Sequence, residues 1–262
     1  MTPNKQLRLN AFGRKLGIVS AIGMSNNGVD PTRVWDSAAR SSYLFTTNLW
    51  GAKSNRFGRM GRFAGASYIG TGVESINGVG LFCDGQPFTV AGWFVLPTSM
   101  SGYVISRAGG TGANRTFGMY FETAANARPQ TYIRGASTTL NITALTDDNP
   151  HFYAIVYTGA AATFYYDDAQ LGGSLNIGTA AEETGQFIGW GARTNGSATF
   201  LSSGQLGPQY IAKTAWTRAD IMAMFKNPYA PFWRDDDVIV YGQTAAATTG
   251  IMTPNRGYWG AI

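Results

Sequence analysis

The chain has 262 residues, 44% of them apolar and only 13% charged, with a formal net charge of +5. That length and apolar content suffice for one large domain with a substantial core, and the charge content, below the roughly 25% usual for soluble domains, predicts neutral surface covered by copies of the chain or by a partner. The single cysteine, Cys83, excludes an internal disulfide and a cysteine metal site, and the single histidine, His151, excludes a multi-histidine metal centre.

The charge is unevenly spread. Residues 1–62 carry ten basic side chains (Lys5, Arg8, Arg14, Lys15, Arg33, Arg40, Lys53, Arg56, Arg59 and Arg62) against two acids, Asp30 and Asp36. The other 200 residues carry ten basic and thirteen acidic side chains. The first quarter therefore reads as a basic arm and packing segment over residues 1–57, with Ile18-Val-Ser-Ala-Ile22 adding an edge strand. Such an arm suits nucleic acid or an acidic protein surface. Its cations are spread thinly and no aromatic-interleaved RNA-binding motif accompanies them, so the reading goes against nucleic acid and toward contact with a neighbouring subunit. No apolar run approaches the ~18 residues of a membrane span, and none of signal-peptide length follows Met1. The expectation is a protein made in a host cytoplasm, with no membrane partner.

Asp30-Pro31 supplies an N-cap and a first-turn proline for a short helix over Thr32–Arg40 with Trp35 as its anchor, a loop being the alternative. Tyr43, Leu44, Phe45, Leu49, Trp50 and Phe57 give the next segment apolar packing. The sandwich is expected over residues 58–243. Phe63-Ala-Gly-Ala-Ser-Tyr-Ile69 reads as one strand, and the glycine-rich run before it lacks the phosphate-loop pattern. Phe88-Thr-Val-Ala-Gly-Trp-Phe-Val-Leu-Pro97 is apolar on both faces, so it reads as a central strand stopped by proline. Further strands are expected at 103–107, 116–121, 130–134, 138–143, 151–158, 163–167, 187–190 and 204–213, with turn residues in each gap. Asn195-Gly196 marks a tight turn. Over Thr217–Lys226 the period changes: Thr217 and Asp220 form an acidic capping box, Ile221 and Phe225 share one face, and Asn227-Pro228 stops the helix. Val238–Tyr241 reads as a last strand and residues 244–262 as a tail. The class is all-β: an antiparallel jelly-roll β-sandwich with one short C-terminal helix.

Several segments in this order resemble the laminin-G-like, concanavalin-A-like jelly-roll superfamily. They are Phe88–Pro97, Tyr103-Val-Ile-Ser-Arg107, His151-Phe-Tyr-Ala-Ile-Val-Tyr157, Thr163–Asp168, Phe187-Ile-Gly189 and Gly204–Phe225. Asp168 stands where that family usually has glycine, so the turn there is expected to differ. Asn227-Pro-Tyr-Ala-Pro-Phe232 is similar to the ending of phage-encoded relatives. The resemblance implies a non-enzymatic structural protein of a bacteriophage virion, a capsid decoration or head-associated protein that self-associates and meets other virion proteins. Lys5, Arg8, Arg14, Lys15, Tyr258 and Trp259 are the expected capsid or partner contacts. The alternative is a lectin-like module binding a cell-surface glycan, and the third reading is a polysaccharide hydrolase.

For each alternative the residues offer candidates. Members of the superfamily often bind glycans, and some bind calcium. The acid-rich runs Asp147-Asp148-Asn149 and Asp235-Asp236-Asp237 match no calcium loop, so no cofactor or metal is assigned. A glycosidase needs two carboxylates about 5–10 Å apart. Glu182-Glu183 point oppositely on a strand, Asp167-Asp168 fall in a turn, and Glu74 and Glu122 are isolated, so no catalytic residue is assigned. His151, at a strand start, has the position of a structural residue, and Trp93, Trp190, Tyr120, Tyr132 and Tyr165 are read as core before sugar platforms.

Overall fold

The computed structural model describes residues 8–26, 33–39, 41–46, 49–50, 61–65, 68–97, 101–107, 117–121, 129–133, 136–139, 147–176, 186–192 and 203–233. In chain order its elements are β1 (Arg8–Leu9), α1 (Ala11–Lys15), β2 (Ile18–Asn26), β3 (Arg33–Asp36), β4 (Ser41–Thr46), β5 (Leu49–Trp50), β6 (Gly61–Ala64) and β7 (Tyr68–Gly70). There follow β8 (Phe88–Val95), β9 (Gly102–Arg107), β10 (Phe117–Phe121), β11 (Pro129–Ile133), β12 (Ala136–Thr139), β13 (Pro150–Tyr157), β14 (Ala161–Tyr166) and β15 (Ala169–Asn176). The described chain ends with β16 (Gly189–Trp190), β17 (Ser203–Ala212), α2 (Arg218–Lys226) and β18 (Phe232–Trp233).

The strands form an antiparallel β-sandwich. One sheet runs β15-β14-β13-β8-β17-β2-β3, and the hydrogen-bonded path continues through β4 into the second, β4-β7-β16-β9-β10-β11-β12. Period-two alternation explains why the first sheet is apolar on both faces. On β8, Phe88, Val90 and Phe94 enter the core between the sheets, while Ala91 and Trp93 face outward under a helical layer. On β13, Tyr153, Ile155 and Tyr157 point inward, and Phe152, Ala154 and Val156 point outward. Across the core, Phe88 meets Phe117 edge-on at 5.4 Å and Phe94 meets Phe121 at 5.6 Å. The outward face is closed by Leu16, Ile18, Trp216, Ile221 and Met224, and Phe225 of α2 stacks on Trp93 at 5.7 Å. Each large side chain removed from water in this way contributes about 1.5–3 kcal/mol. The central, doubly covered place expected for Phe88–Pro97 and the helix expected after Trp216 are both found, the latter with its reciprocal capping box intact.

Other expectations are corrected. Ile18–Ile22 is no edge strand: β2 lies between β17 and β3, so the sandwich begins well before residue 58. Arg33–Asp36 is a strand rather than part of a helix. Asp36 does cap a turn, since its buried carboxylate accepts from the Ala38 and Ala39 amides at 3.0 and 2.9 Å. It also accepts from the Ala21 amide at 2.9 Å and the Ser20 hydroxyl at 2.5 Å, which fastens that turn to β2. Phe63–Ile69 is two strands, because Gly65 takes a φ of +64° and redirects the chain, so that β6 pairs with β17 and β7 with β4. At the β14–β15 turn, which was expected to differ because of Asp168, the left-handed residue is Asp167 (φ +49°), a conformation aspartate tolerates. The expected turn at Asn195-Gly196, the strand at Val238–Tyr241, the run Asp235–Asp237 and the tail from 244 lie outside the described residues.

Candidate functional site

Between β7 and β8 the chain leaves the sheets for residues 71–87 and builds one wall of a surface cleft. Asn77-Gly78 forms the tight turn: both take positive φ (+48° and +83°), and Ile76 and Val79 exchange amide-to-carbonyl bonds of 3.0 and 2.9 Å. Ile76 is buried, and the Asn77 amide nitrogen donates to the Val19 carbonyl at 3.3 Å, which ties the turn to β2. Beyond it, Leu81 is completely buried at φ +55°. A left-handed backbone costs a bulky L-residue about 1–2 kcal/mol, so the surrounding packing must hold it there. The next residue, Phe82, lies over the Arg107 guanidinium, whose central carbon is 3.7 Å from the ring centroid. Its ring is also pressed so closely to Gly80 that a Cβ at that position would come within 2.0 Å of it.

The cleft encloses about 240 Å³. Its lining includes the polar side chains Asn77, Asp84, Gln86 and Lys213 beside Phe82 and Pro87. Asp84 folds its loop by accepting from the Gln86 amide at 3.2 Å, and Gly159, at the β13–β14 turn, packs against the Gly85 carbonyl. Lys213 comes from the end of β17, where its amide donates to the Gly17 carbonyl at 2.9 Å. The cleft lining therefore combines amide, carboxylate and ammonium residues with an aromatic one, on a frame pinned at both sides.

A second polar cluster lies at the start of β13. His151 is clamped between two carboxylates: Nδ1 is 2.8 Å from Asp167 and Nε2 is 3.0 Å from Asp147. Asp167 also accepts from the Phe152 amide at 2.9 Å, and Asp147 accepts from the Asn149 amide and side chain at 2.9 and 2.8 Å. The imidazolium is favoured by the Asp167 hydrogen bond most of all, against the cost of burial and with help from Asp147, so the His151 pKa lies above its ordinary value. Burial tends to raise the Asp147 carboxyl, but the bonds from Asn149 and His151 outweigh it and bring it down to about 2. Every ring nitrogen and both acids are spent on one another. The cluster fastens the 147–149 loop and the β14–β15 turn to β13, as the structural reading of His151 expected.

The expected contact residues fall as follows. Arg14 and Lys15 are exposed on α1, and the Arg14 guanidinium donates back to the Leu9 carbonyl at 2.7 Å. Arg8 lies on β1, which pairs with β18, while Lys5, Tyr258 and Trp259 lie outside the described residues. Trp93 and Trp190 are completely buried, as core residues should be, whereas Tyr120 and Tyr165 are half-buried. Among the described residues no cluster of three or more His, Cys, Asp or Glu could hold a metal ion. Asn77, Phe82, Asp84, Gln86 and Lys213 were not anticipated. The Asn-Gly dipeptide at 77–78 was the available signal, and it marks the wall of the cleft.

No family model matches the chain, and no curated protein matches it in sequence. Solved structures do. Trypanosoma rangeli sialidase in complex with sialic acid aligns with a TM-score of 0.59 at 14% identity, over 80% of this chain and 32% of that one. The receptor-binding domain of botulinum neurotoxin C/D mosaic serotype aligns with a TM-score of 0.54 at 10% identity, over 80% of this chain and 51% of that one. The chain thus spans about a third to a half of these neighbours, and the likeness shows a shared β-sandwich fold.

Proposed function

We propose that the chain is a lectin-like saccharide-binding module of the laminin-G-like, concanavalin-A-like superfamily, and that it binds without hydrolysing. The observation that carries this reading is the cleft whose lining joins Asn77, Asp84, Gln86 and Lys213 with Phe82, whose ring is held over Arg107. Sugars need hydroxyl partners of both polarities and an apolar surface for their C–H faces, and this lining offers both. Its volume falls below the ~300–1,000 Å³ of drug-sized sites, which suits a terminal sugar ring rather than a long chain. Among the described residues Asp84 is the one carboxylate in the lining, and glycoside hydrolysis ordinarily needs two. A sialidase bound to sialic acid and a toxin receptor-binding domain share the fold, which agrees with the reading at fold level only.

A glycan array, run with and without calcium, tests it. The wild type is expected to bind a restricted set of glycans, and the Asp84→Ala/Gln86→Ala variant to lose them while losing no more stability than the Asp84 loop bond contributes, about 0.5–1.5 kcal/mol. Absence of binding to every glycan, or a variant that binds as well as wild type, would overturn the proposal.

The second reading, a structural protein of a bacteriophage virion, rests on the Asn227–Phe232 ending and on the exposed Arg14 and Lys15. It is tested by particle incorporation of Arg14→Glu/Lys15→Glu. Undiminished incorporation removes the role assigned to those cations.

A further inference from the structure

We infer that Asn77-Gly78, on the wall of the cleft, is a self-modifying site: the folded turn protects the asparagine, which converts to aspartate or isoaspartate when the turn opens. This inference stands apart from the saccharide reading. Asn-Gly is also a preferred dipeptide of two-residue hairpin turns, so the pair by itself marks only a turn. Its surroundings add the chemistry. The sequence holds Asn-Gly pairs at 27, 77 and 195, and the one at 77 lies among the described residues with both members exposed. A Cβ built on Gly78 would meet no atom within 4 Å, so the space beside this peptide link is open to water. In such a pair the Gly78 nitrogen gives its proton to solvent and attacks Asn77 Cγ. The new nitrogen–Cγ bond closes a succinimide ring, the Cγ–Nδ2 bond breaks, and Nδ2 leaves as ammonia. Water then opens the ring: cleavage at Cγ gives aspartate, and cleavage at the backbone carbonyl gives isoaspartate. One water is consumed, one ammonia is released, and nothing is oxidised or reduced.

The closed turn forbids that attack. Positive φ at both central residues makes it the mirror image of a type I turn, which sets the Asn77 ψ at about +30°. At that torsion the Gly78 nitrogen points away from Cβ, and Cγ cannot reach it. Three hydrogen bonds hold the turn closed: the pair exchanged by Ile76 and Val79, at 3.0 and 2.9 Å, and the bond from Asn77 Nδ2 to the Val19 carbonyl, at 3.3 Å. The buried Ile76 side chain anchors it further. The products cannot restore this arrangement. A carboxylate has no proton to give the Val19 carbonyl, and isoaspartate adds a methylene to the main chain between Ile76 and Val79. Opening followed by conversion is therefore one-way. Asn77, Gly78 and Val79 all line the cleft, so each conversion puts an anion into its wall and loosens that wall.

The test follows the full chain by peptide mapping with mass spectrometry during incubation in mildly alkaline buffer, once folded and once in urea. The peptide holding Asn77 should gain the mass difference between an amide and an acid, and split into aspartyl and isoaspartyl forms. The folded chain should convert about ten- to a hundredfold more slowly than the unfolded one, the factor for opening a turn held by three hydrogen bonds. Hydrogen exchange at the Val79 amide of the folded wild type, which needs no variant, should be slowed by a similar factor. Ile76→Ala removes the buried anchor and should speed conversion severalfold in a chain that stays folded by circular dichroism. Asn77→Asp carries the product's charge without the longer backbone and should lower the protection of the Val79 amide. Equal rates in the folded and unfolded chains would overturn the gating. Folded wild type and Ile76→Ala that both stay unconverted while the unfolded chain converts would overturn the site in the native protein. Val79 protection that differs widely from the slowing of conversion, or that is unchanged in Asn77→Asp, would overturn the assignment of the gate to this turn.

Discussion

Gly92 sits on β8 directly under a buried amide, and replacing it with alanine perturbs one identifiable network. A Cβ at Gly92 would lie 2.3 Å from Gln209 Oε1 and 2.5 Å from its Cδ and Nε2. Ordinary carbon contacts need more than 3.4 Å, so the Gln209 side chain must shift by roughly 1 Å or more. It has little room to do so. Completely buried, it accepts from the Tyr153 hydroxyl at 2.7 Å and donates to the Trp93 and Gly207 carbonyls at 2.8 and 3.2 Å, spanning the register shift in β17. Breaking the two short bonds costs about 0.5–1.5 kcal/mol each, and a stranded Tyr153 hydroxyl adds roughly 1–3 kcal/mol. Gly92→Ala should therefore destabilise by about 2–6 kcal/mol, lowering the melting temperature by about 4–24 °C in a domain of this size. Urea unfolding of Gly92→Ala, Gln209→Ala and the double variant decides the cause. If the clash is responsible, the glycine substitution adds little once the glutamine is gone, leaving a coupling of at least about 1.5 kcal/mol. Strict additivity, or a Gly92→Ala cost below about 0.5 kcal/mol, would refute the reasoning.

Asp36→Ala removes a buried acceptor from the Ser20 hydroxyl and three backbone amides. A loss of about 3–5 kcal/mol is expected in denaturant unfolding, and one under 1 kcal/mol would show that those donors find other partners. Thr217→Ala breaks the capping box of α2 and should cost about 1 kcal/mol, read by the same assay. The His151 clamp gives a pH dependence with a defined sign. Because its folded pKa is raised, its contribution is full below the unfolded value near 6.5 and fades as pH rises through the higher folded value. At the acid end, the Asp147 contribution fades as pH falls from 3.8 toward about 2. Thermal melting across pH 5–9 should thus show wild type losing its advantage over His151→Gln as pH rises, and a constant difference would contradict the clamp.

What could be read from the sequence was whatever local pattern alone decides. The two-sided apolar run at Phe88–Pro97 could only be a covered central strand, and Thr217 with Asp220 announced the start of α2. Asp30-Pro31 misled, because the capping signal there competes with long-range pairing: β3 is held between β2 and β4, and Asp36 reaches donors 15 and 16 residues back in the chain. Ile18–Ile22 was legible as a strand but not as an interior one, since only the pairing of β2 with β17 on one side and β3 on the other places it there. The cleft was the least legible feature. Residues 71–87 have no period, and their shape depends on Leu81 being held left-handed and on Phe82 lying over Arg107, contacts that no local pattern encodes.

The central claim is that the cleft around Phe82 binds a sugar. Isothermal titration of the full chain with a glycan selected on the array, repeated with Asp84→Ala/Gln86→Ala, tests it most directly. The account expects saturable binding at one site per chain that disappears in the variant, while unfolding shows a loss of no more than about 0.5–1.5 kcal/mol, the contribution of the Asp84 loop bond. Saturable binding that persists in the variant would place the sugar elsewhere and contradict the account.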